Sequence, residues 1–136
     1  IEPYWTGFVG DDQIADIFAA ADLIALPFRD GASLRRTSLQ AGLAYGKAII
    51  TTYPTDDDLR EFEHGRDLVY VAPDDENALA EAIIDLASDP ERRAWLGQNA
   101  QLAAQQFQWD AIARRTLAFY EVVIESYRAK NKTQQK

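Results

Sequence analysis

Eight consecutive residues, Asp30 to Thr37, bring together charge, hydroxyls and backbone freedom in a way that suits an anion. Asp30, Gly31, Ser33, Arg35, Arg36 and Thr37 are the polar or flexible members, with Ala32 and Leu34 between them. The apolar run Leu23–Phe28 before them reads as a strand, and Arg29–Ser33 as a turn. Residues from about Leu34 to Tyr45, rich in small side chains (Ser38, Ala41, Gly42, Ala44), read as a helix that stops at Gly46. On this reading Arg35 and Arg36 occupy the first helical turn, where the partial positive charge of the helix dipole favours acidic residues. Two resolutions of that conflict are open. The arginines turn to water or pair with a carboxylate such as Asp30, or an anion sits between their guanidinium forks and the backbone N–H groups. The second would make the turn a seat for phosphate or diphosphate, without a P-loop or a G-x-G-x-x-G.

Other polar groups have simpler readings. Asp56-Asp57-Asp58 suits a solvated loop better than a cation site, because no second acidic cluster completes a ligand set. Asp74-Asp75-Glu76 reads as a helix cap. His64, the one histidine, sits in an acidic loop before Gly65 and reads as a surface or capping residue. No Ser/His/Asp or Cys/His constellation is visible, no metal site is expected, and aromatic residues at helical spacing read as core.

The 136 residues are 47% hydrophobic and 26% charged, enough for one core without staples. With no cysteine, disulfides and thiolate metal sites are excluded, and a cytoplasmic location is the expectation. A net charge of −8 argues against nucleic acid or an anionic membrane surface as partner, although not against a local basic pocket. No run approaches the roughly 20 apolar residues of a transmembrane helix. The chain opens on Ile1 and contains no methionine, and is read as a piece of a longer protein or the result of processing.

The elements that must hold the turn follow in order. Ile1–Val9, aromatic and β-branched, reads as a strand. Asp11 or Asp12 caps a helix with Ile14, Ile17, Phe18 and Ala21 on one face. After the turn and second helix, Lys47–Thr52 is a buried strand, Tyr53–Gly65 a polar loop with one short helical turn, and Leu68–Val71 a fourth strand. Three helices follow: one from Asp74–Glu76 with Leu79, Ile83 and Leu86 inward, one opened by Pro90, and a long one from Trp109. Alternation of strand and helix implies an α/β fold, a Rossmann-like parallel sheet flanked by helices, with a helical C-terminal third. In such a sheet ligands bind beyond the carboxyl ends of the strands, and that edge collects Val9-Gly10, Arg29–Ser33, Thr51–Thr55 and Ala72–Asp75.

The order TGFV-x4-IADIFAAADLIALPF, DGASLRRTSLQAGLAYGKAIITT, HGRDLVYVAPDDENALAEAI and FQWDAIARRTLAFYE resembles the C-terminal, donor-binding half of GT-B glycosyltransferases of the family 4 type. The match runs from about Thr6 to about Tyr127. The resemblance implies a nucleotide-sugar-binding Rossmann-like domain over residues 1–129, truncated at its N-terminus, and a polar, disordered tail over 130–136. It implies that Val9 meets the nucleobase through its backbone, and that Gly31, Ala32, Ser33 and Leu34 lie over the diphosphate and donor sugar. Asp30, Arg35, Arg36 and Thr37 complete the donor-binding set. No cofactor beyond the nucleotide-sugar substrate is implied, and transfer is metal-independent. The acceptor-binding domain, and with it a general base, would lie in an absent N-terminal half.

One feature departs from the family pattern. Many members carry two glutamates with seven residues between them, and those positions fall on Ser33 and Ala41 here. The chain resembles a variant with D-G-x-S-x-R-R in their place. The implied function is donor binding in an enzyme of glycan or polysaccharide biosynthesis. The alternatives are a GT-B-like binding module that has lost turnover and, less well matched, a flavodoxin-like receiver domain.

Overall fold

The computed structural model describes residues 2–55, 59 and 62–134, with side chains given as far as residue 131. The Asp56-Asp57-Asp58 run and part of the expected helical turn lie outside the described residues.

Three parallel strands form the sheet: β1 (Leu23–Leu26), β2 (Ala48–Thr52) and β3 (Val69–Val71), in the order β1-β2-β3. Leu23 pairs with Ala48 and Leu26 with Thr51, and Ile50–Thr52 run beside Val69–Val71. All five residues of β2 are buried, as its unalternated apolar run implied. Helices α1 (Asp11–Ala20), α2 (Thr37–Ala44), α3 (Glu76–Ser88) and α4 (Pro90–Ala104) accompany the sheet.

The two faces of β2 are packed differently. Ala48 and Ile50 join Val71, Leu86 and Leu96 in a core cluster, with Leu23, Val69, Leu79 and Ile83 against it. Ile49 points the other way, onto α2. A Cβ built at Gly42 would lie 2.9 Å from Ile49 Cδ1, so the small residues of α2 set how closely it approaches the sheet. Gly46, at φ +63° after the Tyr45 C-cap, turns the chain out of α2 and into β2.

Three expectations are corrected. Residues 2–9 form no strand: Tyr4, Trp5 and Phe8 are exposed, and no strand among the described residues offers them a ladder. The α1 cap is Gly10, whose N–H donates to Gln13 Oε1; Asp11 and Asp12 fall inside the first turn, where their charge suits the dipole. Helix α2 begins at Thr37 and not Leu34, because Ser33 Oγ accepts the Arg35 N–H and Ser33 O accepts the Arg36 N–H in a local turn.

The chain divides into two compact units, residues 1–104 and 105–136. The second consists of a 3-10 turn, Gln105–Phe107, and α5 (Trp109–Gln134), joined by an Arg115 Nη2 bond to Gln106 O at 2.7 Å. Leu117, Tyr120, Ile124 and Tyr127 of α5 are exposed, so the aromatic residues at helical spacing here are not core among the described residues, against expectation. No described helix is long and apolar enough to cross a membrane.

Candidate functional site

Beyond the carboxyl ends of β1 and β2 lies a depression of about 330 Å³, lined by Asp30, Gly31, Ser33, Arg35, Arg36 and Thr55. Its floor is fixed by the strands beneath it. Thr51 Oγ1 donates to Leu26 O (2.8 Å) and Thr52 Oγ1 to Phe28 O (2.7 Å), tying the exit of β1 to the end of β2. The Gly31 N–H donates to Phe28 O, and Thr55 Oγ1 donates to Asp30 O at 3.4 Å. Gly31 is required here. Its φ is +83°, and an added Cβ would lie 3.0 Å from Thr55 Cγ2, Thr55 N and Tyr53 O.

The two arginines are not inside the helix. Arg36 is the N-cap residue of α2 with extended φ/ψ, and Arg35 stands one position earlier. Their conflict with the helix dipole is thereby relaxed. Arg36 forms an ion pair with Asp30, and its guanidinium carbon lies 4.8 Å from the centre of the Phe28 ring. Arg35 Nε lies 3.3 Å from Ser33 Oγ. The nearby Arg29 bonds Asp74 at 2.9 Å, joining the loop after β1 to the loop after β3. That hydrogen bond holds the Arg29 guanidinium above its ordinary pKa. Asp74 has φ +59°, uncommon for a residue with a side chain.

The structure therefore gathers Asp30, Gly31, Ser33, Arg35 and Arg36 around one hollow. Val9, Ala32, Leu34 and Thr37 do not line it: Ala32 is buried and Val9 lies on no strand. Thr55 and Phe28 belong to the arrangement although their individual roles were not foreseen. Their signal was position, since each lies just past the carboxyl end of an apolar strand.

His64 has a structural place. Its Nδ1 accepts the Tyr70 N–H at 3.0 Å, and its ring stacks with those of Tyr53 and Tyr70. Asp75 caps α3 by accepting the Ala78 N–H at 2.9 Å. Lys47 precedes β2 and donates from Nζ to Ala19 O, away from where a receiver domain would need its lysine. A larger hollow of about 490 Å³ beside β3 and α3 carries Asp75, Glu81 and Asp85 against Arg92, the wrong balance of charge for an anion.

The "Glycosyl transferases group 1" family matches residues 3–89. A D-inositol 3-phosphate glycosyltransferase of Streptomyces coelicolor is 32% identical over 122 residues, covering 88% of this chain and 26% of that protein. Its counterpart from Streptomyces avermitilis is 30% identical, covering 88% of this chain and 25% of the relative. The chain thus spans about a quarter of the length of these curated relatives. Sucrose-phosphate synthase from Thermosynechococcus elongatus shares the fold, with a TM-score of 0.69 at 24% identity over 89% of this chain and 30% of that one. With its parallel sheet, flanking helices and this match, the chain belongs to the group 1 glycosyl transferases and has the Rossmann-like fold of a GT-B C-terminal domain.

Proposed function

We propose that this chain is the donor-binding part of a cytoplasmic glycosyltransferase that takes its sugar from a nucleotide-sugar and acts in glycan or polysaccharide synthesis. The observation that carries the reading is the hollow at the carboxyl edge, where two arginines, two hydroxyls and the Gly31 turn converge. Guanidinium forks bind diphosphate oxygens bidentately, and the Ser33 hydroxyl, which accepts from Arg35, has its own proton to add as a neutral donor. The nucleobase lies toward Val9, and Ala32, Leu34 and Thr37 hold the turn and helix start in register. The arginines supply the positive charge for the diphosphate, so that transfer needs no metal. The acceptor site and a general base belong to another part of the full protein.

The test is titration of the chain with UDP and GDP, followed by amide shift mapping. Shifts are expected at Gly31, Ser33, Arg35, Arg36 and Thr55 at millimolar nucleotide, and their absence there would sink the assignment. Arg35→Ala or Arg36→Ala weakens nucleotide binding by about 1–3 kcal/mol where the lost bond is charge-assisted. A second reading, a binding module without turnover, is favoured by Ser33 and Ala41, which put no carboxylate where the pattern of the resembled family has glutamates. Sugar transfer by the full-length protein would exclude it.

A further inference from the structure

Arg36 already has an anion, and it belongs to the protein. The Asp30 carboxylate pairs directly with Arg36 Nη2, and both residues line the hollow beside Gly31, Ser33, Arg35 and Thr55. The backbone under Asp30 is held by Thr55 Oγ1, while its side chain is 74% exposed and free to change rotamer. The Arg36 guanidinium lies over Phe28 and is more enclosed, at 38% exposure. One partner is thus held in place and the other is free to leave.

We propose that Asp30 is an exchangeable counter-ion that occupies Arg36 until a diphosphate displaces it, and that it sets which anions the hollow accepts. This rests on the donor-site reading above. A carboxylate beside a diphosphate is repelled, so binding requires Asp30 to swing toward water, and the ligand must outcompete it. A diphosphate engages both arginines and succeeds. A lone carboxylate or orthophosphate gains little over the resident Asp30. The exposed pair is individually weak, which keeps the exchange reversible.

The experiment titrates inorganic pyrophosphate and orthophosphate into the chain, its Asp30→Asn, Arg35→Ala and Arg36→Ala variants and the Asp30→Asn/Arg36→Ala double variant, read by amide shifts. Asp30→Asn is expected to tighten pyrophosphate binding about three- to tenfold and to narrow its advantage over orthophosphate. That gain should vanish in the Arg36→Ala background, since Asp30 acts through Arg36. Unchanged or weaker pyrophosphate binding by Asp30→Asn overturns the proposal, as does a gain that persists without Arg36, which would mean general charge repulsion. In either case a loss on Arg36→Ala leaves the donor site standing. If Arg36→Ala and Arg35→Ala both bind pyrophosphate as the parent does, the donor-site reading itself fails.

Discussion

Gly31 shows how narrowly the turn is specified. Its positive φ disfavours any side chain, and the 3.0 Å approaches to Thr55 and Tyr53 leave no room for one. Gly65 has a comparable φ of +78° with nothing within 4 Å of a built Cβ. The pair therefore separates backbone strain from crowding. Gly65→Ala should cost about 1 kcal/mol in urea denaturation, and Gly31→Ala about 2 kcal/mol or more, with shifts spreading to Thr55. Equal losses would mean that the close approach at Gly31 relaxes freely. The hydroxyls below the turn are tested separately. Thr52→Val removes one of two donors to the part-buried Phe28 carbonyl, which keeps the Gly31 N–H, and should cost about 1 kcal/mol. The location of this site was legible in the residues themselves, since a Gly turn and two arginines after a buried strand can be read from sequence. Its internal pairing was not. The side chains of Asp30, Ser33 and Phe28 decide where Arg35 and Arg36 go, and that depends on the three-dimensional path of the turn.

Helix α2 and its neighbours show where sequence patterns stop being sufficient. Strand β2 was expected from Lys47 and starts one residue later, because an unalternated apolar run has few other uses in an α/β chain. The strand expected over Ile1–Val9 had suitable composition, but β structure needs a partner and none is present among the described residues. The start of α2 moved because Ser33 offers the backbone a competing turn. Gly42 signalled close packing in the sequence, whereas Gly97 gave no such signal, lying in the middle of α4 with the appearance of a weak helix residue. Its role is long-range. A Cβ at Gly97 would lie 2.0 Å from Gly46 O and 2.8 Å from Gly46 C, so α4 rests directly on the backbone between α2 and β2. Gln101 Nε2 strengthens the same junction by donating to Ala44 O at 2.9 Å. Gly97→Ala must push backbone from backbone, and a loss of about 3 kcal/mol is expected in thermal or urea denaturation. Gln101→Ala removes only one exposed bond and should cost under about 1 kcal/mol. A Gly97→Ala protein as stable as its parent would show that α4 is not seated where the geometry puts it.

For the molecule as a whole, the chain spans about a quarter of its curated relatives, and its charge of −8 contrasts with the local arginine pair at the hollow. Alkaline solution makes an already acidic chain more negative, so alkaline loss of stability has a general part. Tyr70 gives it a specific part. It is buried in β3, its ring lies 5.3 Å from that of Tyr53, and burial, followed by the charge of Asp67, holds its phenol above the ordinary value of 10.0. The folded state therefore keeps a proton that the unfolded state has lost once the pH passes about 10. The stabilisation is complete below that pH and declines as pH rises above it. Tyr70→Phe cannot ionise and keeps the stacked ring, so it should lose less stability than the parent between pH 7 and strongly alkaline solution. Urea denaturation of both proteins across that range checks this, since the general effect of net charge acts on both alike. Parallel curves would mean that the Tyr70 phenolate is accommodated without unfolding, and that β3 opens toward water more readily than its packing against Tyr53 and His64 indicates.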